Sequence, residues 1–129
     1  MGTKKGTIKV ESGAQVSAYE YAAAEYFRTA GNTVVFLTPS RIPHRRTADI
    51  LLDGQPWEIK TPFGNGSRTI QDIMRSGKRQ SDSIVLDLRF TKRTEQQALT
   101  EATLFFARSR SLRRLCIITK SRTPIWLED

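Results

Sequence analysis

The dipeptide Asp53-Gly54 constrains the fold of this chain more than any other feature of its sequence. Asp-Gly favours a tight two-residue type I′ turn, and here it stands between two short runs of alternating polarity, ADILL (48–52) and PWEIK (56–60). The sequence therefore predicts a β-hairpin in which Ile50 faces Trp57.

The predicted hairpin carries three charged side chains on one face. Counting outward from the turn places Asp49 opposite Glu58, with Lys60 on the same side, while the apolar residues of both strands point to the core. Two opposed carboxylates repel unless a cation lies between them. That cation can be Lys60, a nearby arginine or a divalent metal held by carboxylate oxygens. The alternative is an ordinary surface patch, since one residue more or less in the turn would separate the acids.

Glu20 is a third candidate acid. The first helix is expected at about residues 13–30, and Glu20 lies on its inner side with Val16 and Phe27. A carboxylate at the margin of a core needs a partner. Glu20 either joins Asp49 and Glu58 as a metal ligand or is a rim acid that reaches solvent or an arginine.

The remaining periodicities predict a single α+β domain over residues 13–129, after a flexible basic tail at 1–12. The expected order is α-β-β-β-α-β-α-β-β, with the helices packed on a mixed, largely antiparallel central sheet. Two further helices are expected at 69–80 and 94–110, each starting at a threonine with capping-box spacing. The threonines and their partners are Thr69 with Asp72, and Thr94 with Gln97.

A glycine-rich loop, FGNGSRT (63–69), follows the Lys60 strand and opens the second helix. Two glycines and the first amides of a helix can bind a phosphate, and so can the side chains nearby. The alternative is an ordinary strand-to-helix loop whose Ser or Thr caps the helix, which accounts for the same residues. The candidate phosphate or nucleic-acid contacts in this part of the chain and in the basic segments around it are Ser67, Arg68, Thr69, His44, Arg46, Arg75 and Arg79.

The composition favours a polyanionic partner. The chain has 129 residues with 21 Lys+Arg and 13 Asp+Glu, which give a formal charge of +8. The excess charge can also serve solubility alone. No apolar stretch approaches the length of a membrane span, and the one cysteine, Cys116, lies in an apolar run that indicates a buried, inert thiol.

Several longer stretches resemble the C-terminal tRNase toxin domains of contact-dependent growth inhibition and related polymorphic toxin systems. They are YEYAAAEYFRTAGNTVVFLTPS, TADILLDGQPWEIKTPFG, RTIQDIMRSGKRQSDSIVLDL and LCIITK. The resemblance implies a domain delivered by a large exported protein into the cytoplasm of a neighbouring bacterium. It also implies tRNA as the substrate and a dedicated immunity protein as the partner.

The helix and the three strands after it are also similar to the core of PD-(D/E)XK nucleases, with AD at 48–49 where that superfamily has PD. This likeness implies a Mg²⁺ site on Glu20, Asp49 and Glu58, with Lys60 catalytic and Gln80 auxiliary. Other toxins of the class resemble barnase, EndoU, colicin and RelE ribonucleases, which cleave RNA without metal. That likeness gives more weight to Lys60, Thr69, Arg68 and His44.

Three hypotheses follow from the sequence. The first is a toxic endoribonuclease that cleaves tRNA with Asp49, Glu58, Lys60 and Thr69. The second is a metal-dependent DNase of the PD-(D/E)XK kind. The third is a basic module that binds nucleic acid or a protein without catalysis.

Overall fold

The fold is that of a computed structural model, which describes residues 4–39 and 48–129. Within these residues the chain forms one mixed sheet of seven strands, in sequence order across the sheet, and three helices. The strands are β1 (Thr7–Val10), β2 (Thr33–Phe36), β3 (Ile50–Leu52), β4 (Gln55–Lys60), β5 (Ser83–Asp87), β6 (Arg114–Ile118) and β7 (Pro124–Glu128). The helices are α1 (Ala18–Thr29), α2 (Thr69–Lys78) and α3 (Glu95–Arg108).

The sheet combines both kinds of pairing. β1 lies parallel to β2, and β4, β5 and β6 are mutually parallel. β2, β3 and β4 form an antiparallel meander, and β7 pairs antiparallel with β6. The predicted α+β class with helices on a mixed sheet is confirmed, and the predicted order is preceded by one more strand. The sheet is not largely antiparallel as predicted, because helices connect three of its six strand pairs and those pairs are parallel.

That additional strand corrects the prediction of a flexible tail at residues 1–12. Thr7–Val10 pair with Thr33–Phe36, although only Ile8 is partly buried. Backbone hydrogen bonds along the edge of β2 hold this segment in the sheet, so it needs little apolar surface of its own. Because this edge strand is polar and lysine-rich, the pattern of apolar residues did not predict it.

The helices cover both faces of the sheet. Ala23, Ala24 and Phe27 of α1 pack with Trp57 and Val85 on one face. The opposite face packs against α2 and α3, and its core residues are Ile70, Met74, Ile84, Leu86, Ala98, Ala102, Leu115 and Ile117. Because β4 alternates, Trp57 and Ile59 are buried on the α1 side, whereas Glu58 and Lys60 point to the α2 side.

The helix starts differ from the predictions in two places. α1 begins at Ala18 because Ser17 caps it and Glu20 closes a capping box, a Ser-x-x-Glu signal that moves the start past residue 13. The predicted Thr69 and Asp72 box is absent, because Arg68 is the N-cap and makes no side-chain capping bond. The Thr94 and Gln97 box of α3 is present as predicted.

Cys116 is buried in β6, as predicted, and burial raises the pKa of its thiol to about 12. No helix within the described ranges is long and apolar enough to cross a membrane.

Candidate active site

The β3–β4 hairpin forms with the predicted register. Ile50 pairs with Trp57 and Leu52 with Gln55, and both turn residues have positive φ, as a type I′ turn requires. The Asp53 carboxylate also fixes the turn to β2, since it accepts hydrogen bonds from the Thr33 amide at 2.8 Å and from the Asn32 side chain.

Beyond Ile50 the two strands diverge, and Asp49 lies at this fork. Its amide donates to the Trp57 carbonyl at 3.1 Å, and its carboxylate accepts the Ile59 amide at 2.9 Å. The Asp49 side chain thus accepts the hydrogen bond of the Ile59 amide, which in a continuing β-ladder would go to a backbone carbonyl of the opposite strand. The fork turns the Asp49 carboxylate toward β4, where it lies close enough to the Glu58 carboxyl group for each to affect the pKa of the other.

Glu58 and Lys60 complete the cluster from the neighbouring strand. Glu58 is only 6% exposed, and its Oε2 lies 3.4 Å from the Lys60 Nζ. The Lys60 side chain retains contact with solvent, so the cluster opens outward at its ammonium group. The structure therefore brings together the three residues that the hairpin pattern placed on one face.

Within residues 4–39 and 48–129, the two carboxyl groups of this cluster have one ammonium group beside them, and their pKa values are raised. Burial, and then the negative charge of Asp49, raise the pKa of Glu58 to about 8. Burial also raises the pKa of Asp49, with a smaller contribution from the charge of Glu20 and an opposing one from the Ile59 amide. At neutral pH the Asp49 and Glu58 pair therefore retains a proton.

Glu20 lies near this pair and has a structural role as well. Its Oε1 accepts the Ser17 amide at 2.8 Å in the capping box of α1. Glu20 and Asp49 also line a small cavity of about 70 Å³ with Phe36 and Leu37. The third predicted acid is therefore adjacent to the cluster and already hydrogen bonded.

The donor set is compatible with a hard divalent cation on Asp49 and Glu58. Mg²⁺ commonly takes one or two carboxylates and completes its shell with water and substrate phosphate. Across residues 4–39 and 48–129, no three His, Cys, Asp or Glu side chains form one metal-ligating group. The site thus offers two protein carboxylates, those of Asp49 and Glu58, and Glu20 does not form a three-residue ligand group with them.

The glycine-rich loop leads from the end of β4 to the start of α2. Gly64 packs so closely on Thr69 that a Cβ there would lie 3.0 Å from the Thr69 hydroxyl. Thr69 is the first residue of the helix, and its hydroxyl faces this loop in place of capping the helix. Ser67 and Arg68 are exposed beside it.

The other predicted basic contacts lie along α2. Arg75 is 3.4 Å from Asp72, and Asp72 also lies 3.9 Å from Arg68, so the acid of the expected capping box pairs with arginines. Arg79 is exposed at the C-cap of α2, and Gln80 follows it, also exposed. His44 and Arg46 lie outside the described residues.

Gly77 is a residue of the site that the sequence reasoning missed. A Cβ at this position would lie 2.8 Å from Ile84 Cδ1 and 3.2 Å from Lys60 Cγ, so glycine lets α2 pack directly against the Lys60 stem. The available signal was a glycine inside a helical pattern, which indicates a close approach.

Comparisons with known proteins agree with the fold and identify the family. The model for the contact-dependent growth inhibition CdiA C-terminal domain matches residues 45–123, more than half of the chain. A solved chain from a CdiA-CT/CdiI toxin and immunity complex of Burkholderia pseudomallei has the same fold, with a TM-score of 0.70 at 15% identity. That match covers 94% of this chain and 99% of the other, whereas no curated protein sequence matches. The chain belongs to the family of CdiA C-terminal domains of contact-dependent growth inhibition.

Proposed function

We propose that this chain is a toxic endoribonuclease that cleaves tRNA at the Asp49, Glu58 and Lys60 cluster. The observation that carries the proposal is a pair of neighbouring carboxyl groups, Glu58 buried and Asp49 half-buried, beside the partly exposed side chain of Lys60. Strongly perturbed carboxyl groups in a recessed site are typical of groups that transfer protons. The family membership supports a toxin role.

Each member of the cluster has a distinct part in the proposed cleavage. The Lys60 ammonium group binds a non-bridging oxygen of the scissile phosphate and stabilises the charge that develops there. The Asp49 and Glu58 pair retains a proton near neutral pH, so protonated Glu58 can donate it to the leaving 5′ oxygen. The 2′ hydroxyl of the substrate attacks the phosphorus as the bond to the 5′ oxygen breaks, and the ionised Asp49 carboxylate accepts the 2′ hydroxyl proton, so the pair ends with one proton as it began.

A divalent cation is compatible with the same residues and favours a second candidate function. Asp49 and Glu58 would hold the cation, and it would supply Lewis-acid stabilisation of the phosphate when bound. The observation that favours it is that, among the described residues, these two acids have one ammonium group between them. A metal-dependent DNase of the PD-(D/E)XK kind is therefore the second candidate.

Basic residues near the site are proposed to hold the nucleic-acid backbone. Ser67 and Arg68 are exposed at the start of α2, and Arg75 and Arg79 follow along this helix. With a formal charge of +8, the chain would bind any polyanion with strong salt dependence. Backbone contacts of this kind position a substrate without selecting its sequence.

The biological setting is proposed from the family. The solved neighbour is a complex of a toxin with an immunity protein, and we infer that this chain also has a cognate immunity protein. We infer further that the domain is part of a larger secreted protein and acts in the cytoplasm of a target bacterium.

Purified tRNA and duplex DNA, each incubated with Mg²⁺ and with a chelator, test the proposal. Wild-type chain is expected to cut tRNA, and Glu58→Gln and Lys60→Met are expected to lose cleavage by about 10²–10³-fold. Glu25→Gln, an acid paired with Arg28 on α1, is the matched control and should cleave normally. Exclusive cutting of DNA that stops on chelation would favour the DNase. Salt-sensitive binding with no product under any condition would leave only a binding module.

A further inference from the structure

Three large aromatic side chains form an exposed cluster next to the candidate active site. The Tyr19 ring centroid lies 4.6 Å from that of Phe63 and 5.0 Å from that of Phe90, in both cases edge to face. All three remain substantially exposed, at 44%, 46% and 37% respectively. These rings come from α1 and from the loops after β4 and β5, so no local sequence pattern predicts their meeting.

This aromatic cluster is adjacent to the acidic cluster along the chain. Tyr19 directly precedes Glu20. Phe63 follows Lys60 by three residues, so the Cα atoms of Phe63 and Lys60 are at most roughly 10 Å apart. A nucleotide whose phosphate reaches Lys60 therefore has its neighbouring base within reach of these rings.

The rings are held in place by hydrogen bonds between the two loops. The Lys92 amide donates to the Phe63 carbonyl at 3.1 Å, and the Thr91 hydroxyl donates to the Gly64 carbonyl at 2.8 Å. Arg93 adds a bond to the Asn65 carbonyl at 3.1 Å. Such bracing orders the loops that carry Phe63 and Phe90 before a ligand binds, which lowers the entropic cost of binding.

The surroundings of the cluster are cationic. Lys92 and Lys120 are exposed, and the Lys120 ammonium group donates to the Thr91 carbonyl. The Arg89 guanidinium also lies 5.4 Å from the Phe90 ring centroid, although its charge is paired with Asp87. An aromatic surface flanked by positive charge matches an unstacked base attached to its phosphate. A purely apolar partner would not use the flanking cations.

We propose that Tyr19, Phe63 and Phe90 stack an unpaired base of an RNA substrate next to the scissile phosphate. The inference rests on the proposed nuclease function and defines its substrate as single-stranded or looped RNA, whose bases are free to stack. Duplex RNA keeps its bases stacked on each other and cannot use this surface.

Binding without cleavage tests the proposal separately from the catalytic one. The Glu58→Gln chain is titrated with a short fluorescein-labelled single-stranded oligoribonucleotide, its abasic version and its duplex. A Tyr19→Leu or Phe63→Leu substitution added to the Glu58→Gln chain is expected to weaken binding of the single strand about tenfold. Binding of the duplex and of the abasic strand should stay unchanged. Tyr19→Phe keeps the ring and should bind as the parent does.

Tyr21→Leu is the matched control, because Tyr21 lies on the same helix with 43% exposure and has its contact with Phe36 instead of the cluster. Thermal unfolding confirms that each variant is folded. Equal binding by the Tyr19→Leu and Tyr21→Leu chains would overturn the proposal. So would a Tyr19→Leu chain that binds RNA normally and loses only its immunity protein.

The outcomes separate this inference from the nuclease proposal. If the Tyr19→Leu, Phe63→Leu double variant cleaves tRNA normally and binds single-stranded RNA with unchanged affinity, the stacking proposal is wrong and the catalytic proposal stands. If the wild-type chain cuts no nucleic acid but its RNA binding depends on the aromatic rings, the stacking proposal stands and the catalytic proposal is wrong.

Discussion

Two sites in this domain bury carboxylates, and they differ in how many cations accompany them. Asp87 at the end of β5 is fully buried and faces one arginine, Arg89, through bonds of 2.9 and 2.8 Å. The Arg89 guanidinium also donates to the Ala22 carbonyl of α1 at 3.1 Å. At the β3–β4 fork, two carboxylates share one ammonium group, that of Lys60, among the residues that the structure describes.

The difference separates a structural site from a candidate functional one. A one-to-one, bidentate pair with further hydrogen bonds satisfies its charges and links β5 to α1. A pair of acids with one cation remains short of positive charge, retains a proton, and gains when a cation or a bound phosphate arrives. Removing carboxylates from solvent therefore has opposite consequences at the two sites.

Removing the cation from each site should give the largest and most contrasting effects. Arg89→Met leaves the Asp87 charge buried without a partner, and we expect a loss of about 3–5 kcal/mol in the free energy of unfolding. Lys60→Met should leave the folded state nearly intact and reduce cleavage about 10²–10³-fold. Urea unfolding and a tRNA cleavage assay measure the two quantities.

Arg75→Met is the control, since its pair with Asp72 is exposed and should contribute less than about 1 kcal/mol. The contrast between the sites fails if Lys60→Met unfolds the domain or if Arg89→Met costs no more than Arg75→Met.

The dependence of stability on pH should follow the acid-rich site. The pKa of Glu58 is about 8 in the folded chain and ordinary in the unfolded chain. The folded state therefore holds more protons between about pH 4.5 and 8, and stability falls as pH rises through that window. Glu58→Gln removes this loss, so its melting temperature should exceed that of the wild type by a few degrees at pH 8 and converge with it near pH 4.5.

Thermal unfolding of both chains across this pH range measures the difference. A constant difference at all pH values would show that Glu58 ionises normally, and the Glu25→Gln control should track the wild type throughout.

The sequence predicted the hairpin and its cluster because both depend on near neighbours. Asp53-Gly54 sets the register within a dozen residues, and alternation then places Asp49, Glu58 and Lys60. The edge strand β1 was missed because its pairing with β2 joins segments with few apolar residues. The aromatic cluster joins residues more than 40 positions apart, and only the tertiary fold brings them together.

Gly77 tests how closely α2 must pack on the acid-rich site. In Gly77→Ala, the new methyl group meets Ile84 at 2.8 Å and the Lys60 stem at 3.2 Å. Overpacking costs about 1–3 kcal/mol, and the better helix propensity of alanine offsets up to about 1 kcal/mol of it. We expect a small loss of stability with a larger loss of cleavage, because Lys60 is displaced. Ser76→Ala, one residue earlier in α2, should change neither the unfolding midpoint in urea nor the cleavage rate.

The two capping boxes give the smallest and most precise comparison. Ser17→Ala and Thr94→Ala each remove a bond of 3.1 Å to the N3 amide and should each cost about 1 kcal/mol in unfolding free energy. Only the Ser17 box contains an acid near the site, because Glu20 contributes to the raised pKa of Asp49. Ser17→Ala keeps the residue 17 amide that holds the Glu20 carboxylate, so neither cap variant should shift the pH dependence of cleavage, whereas Glu20→Gln, which removes the charge, should shift it. An unchanged pH profile for Glu20→Gln would place Glu20 among the helix caps alone, and a shifted profile would make it the outer member of the acid-rich site.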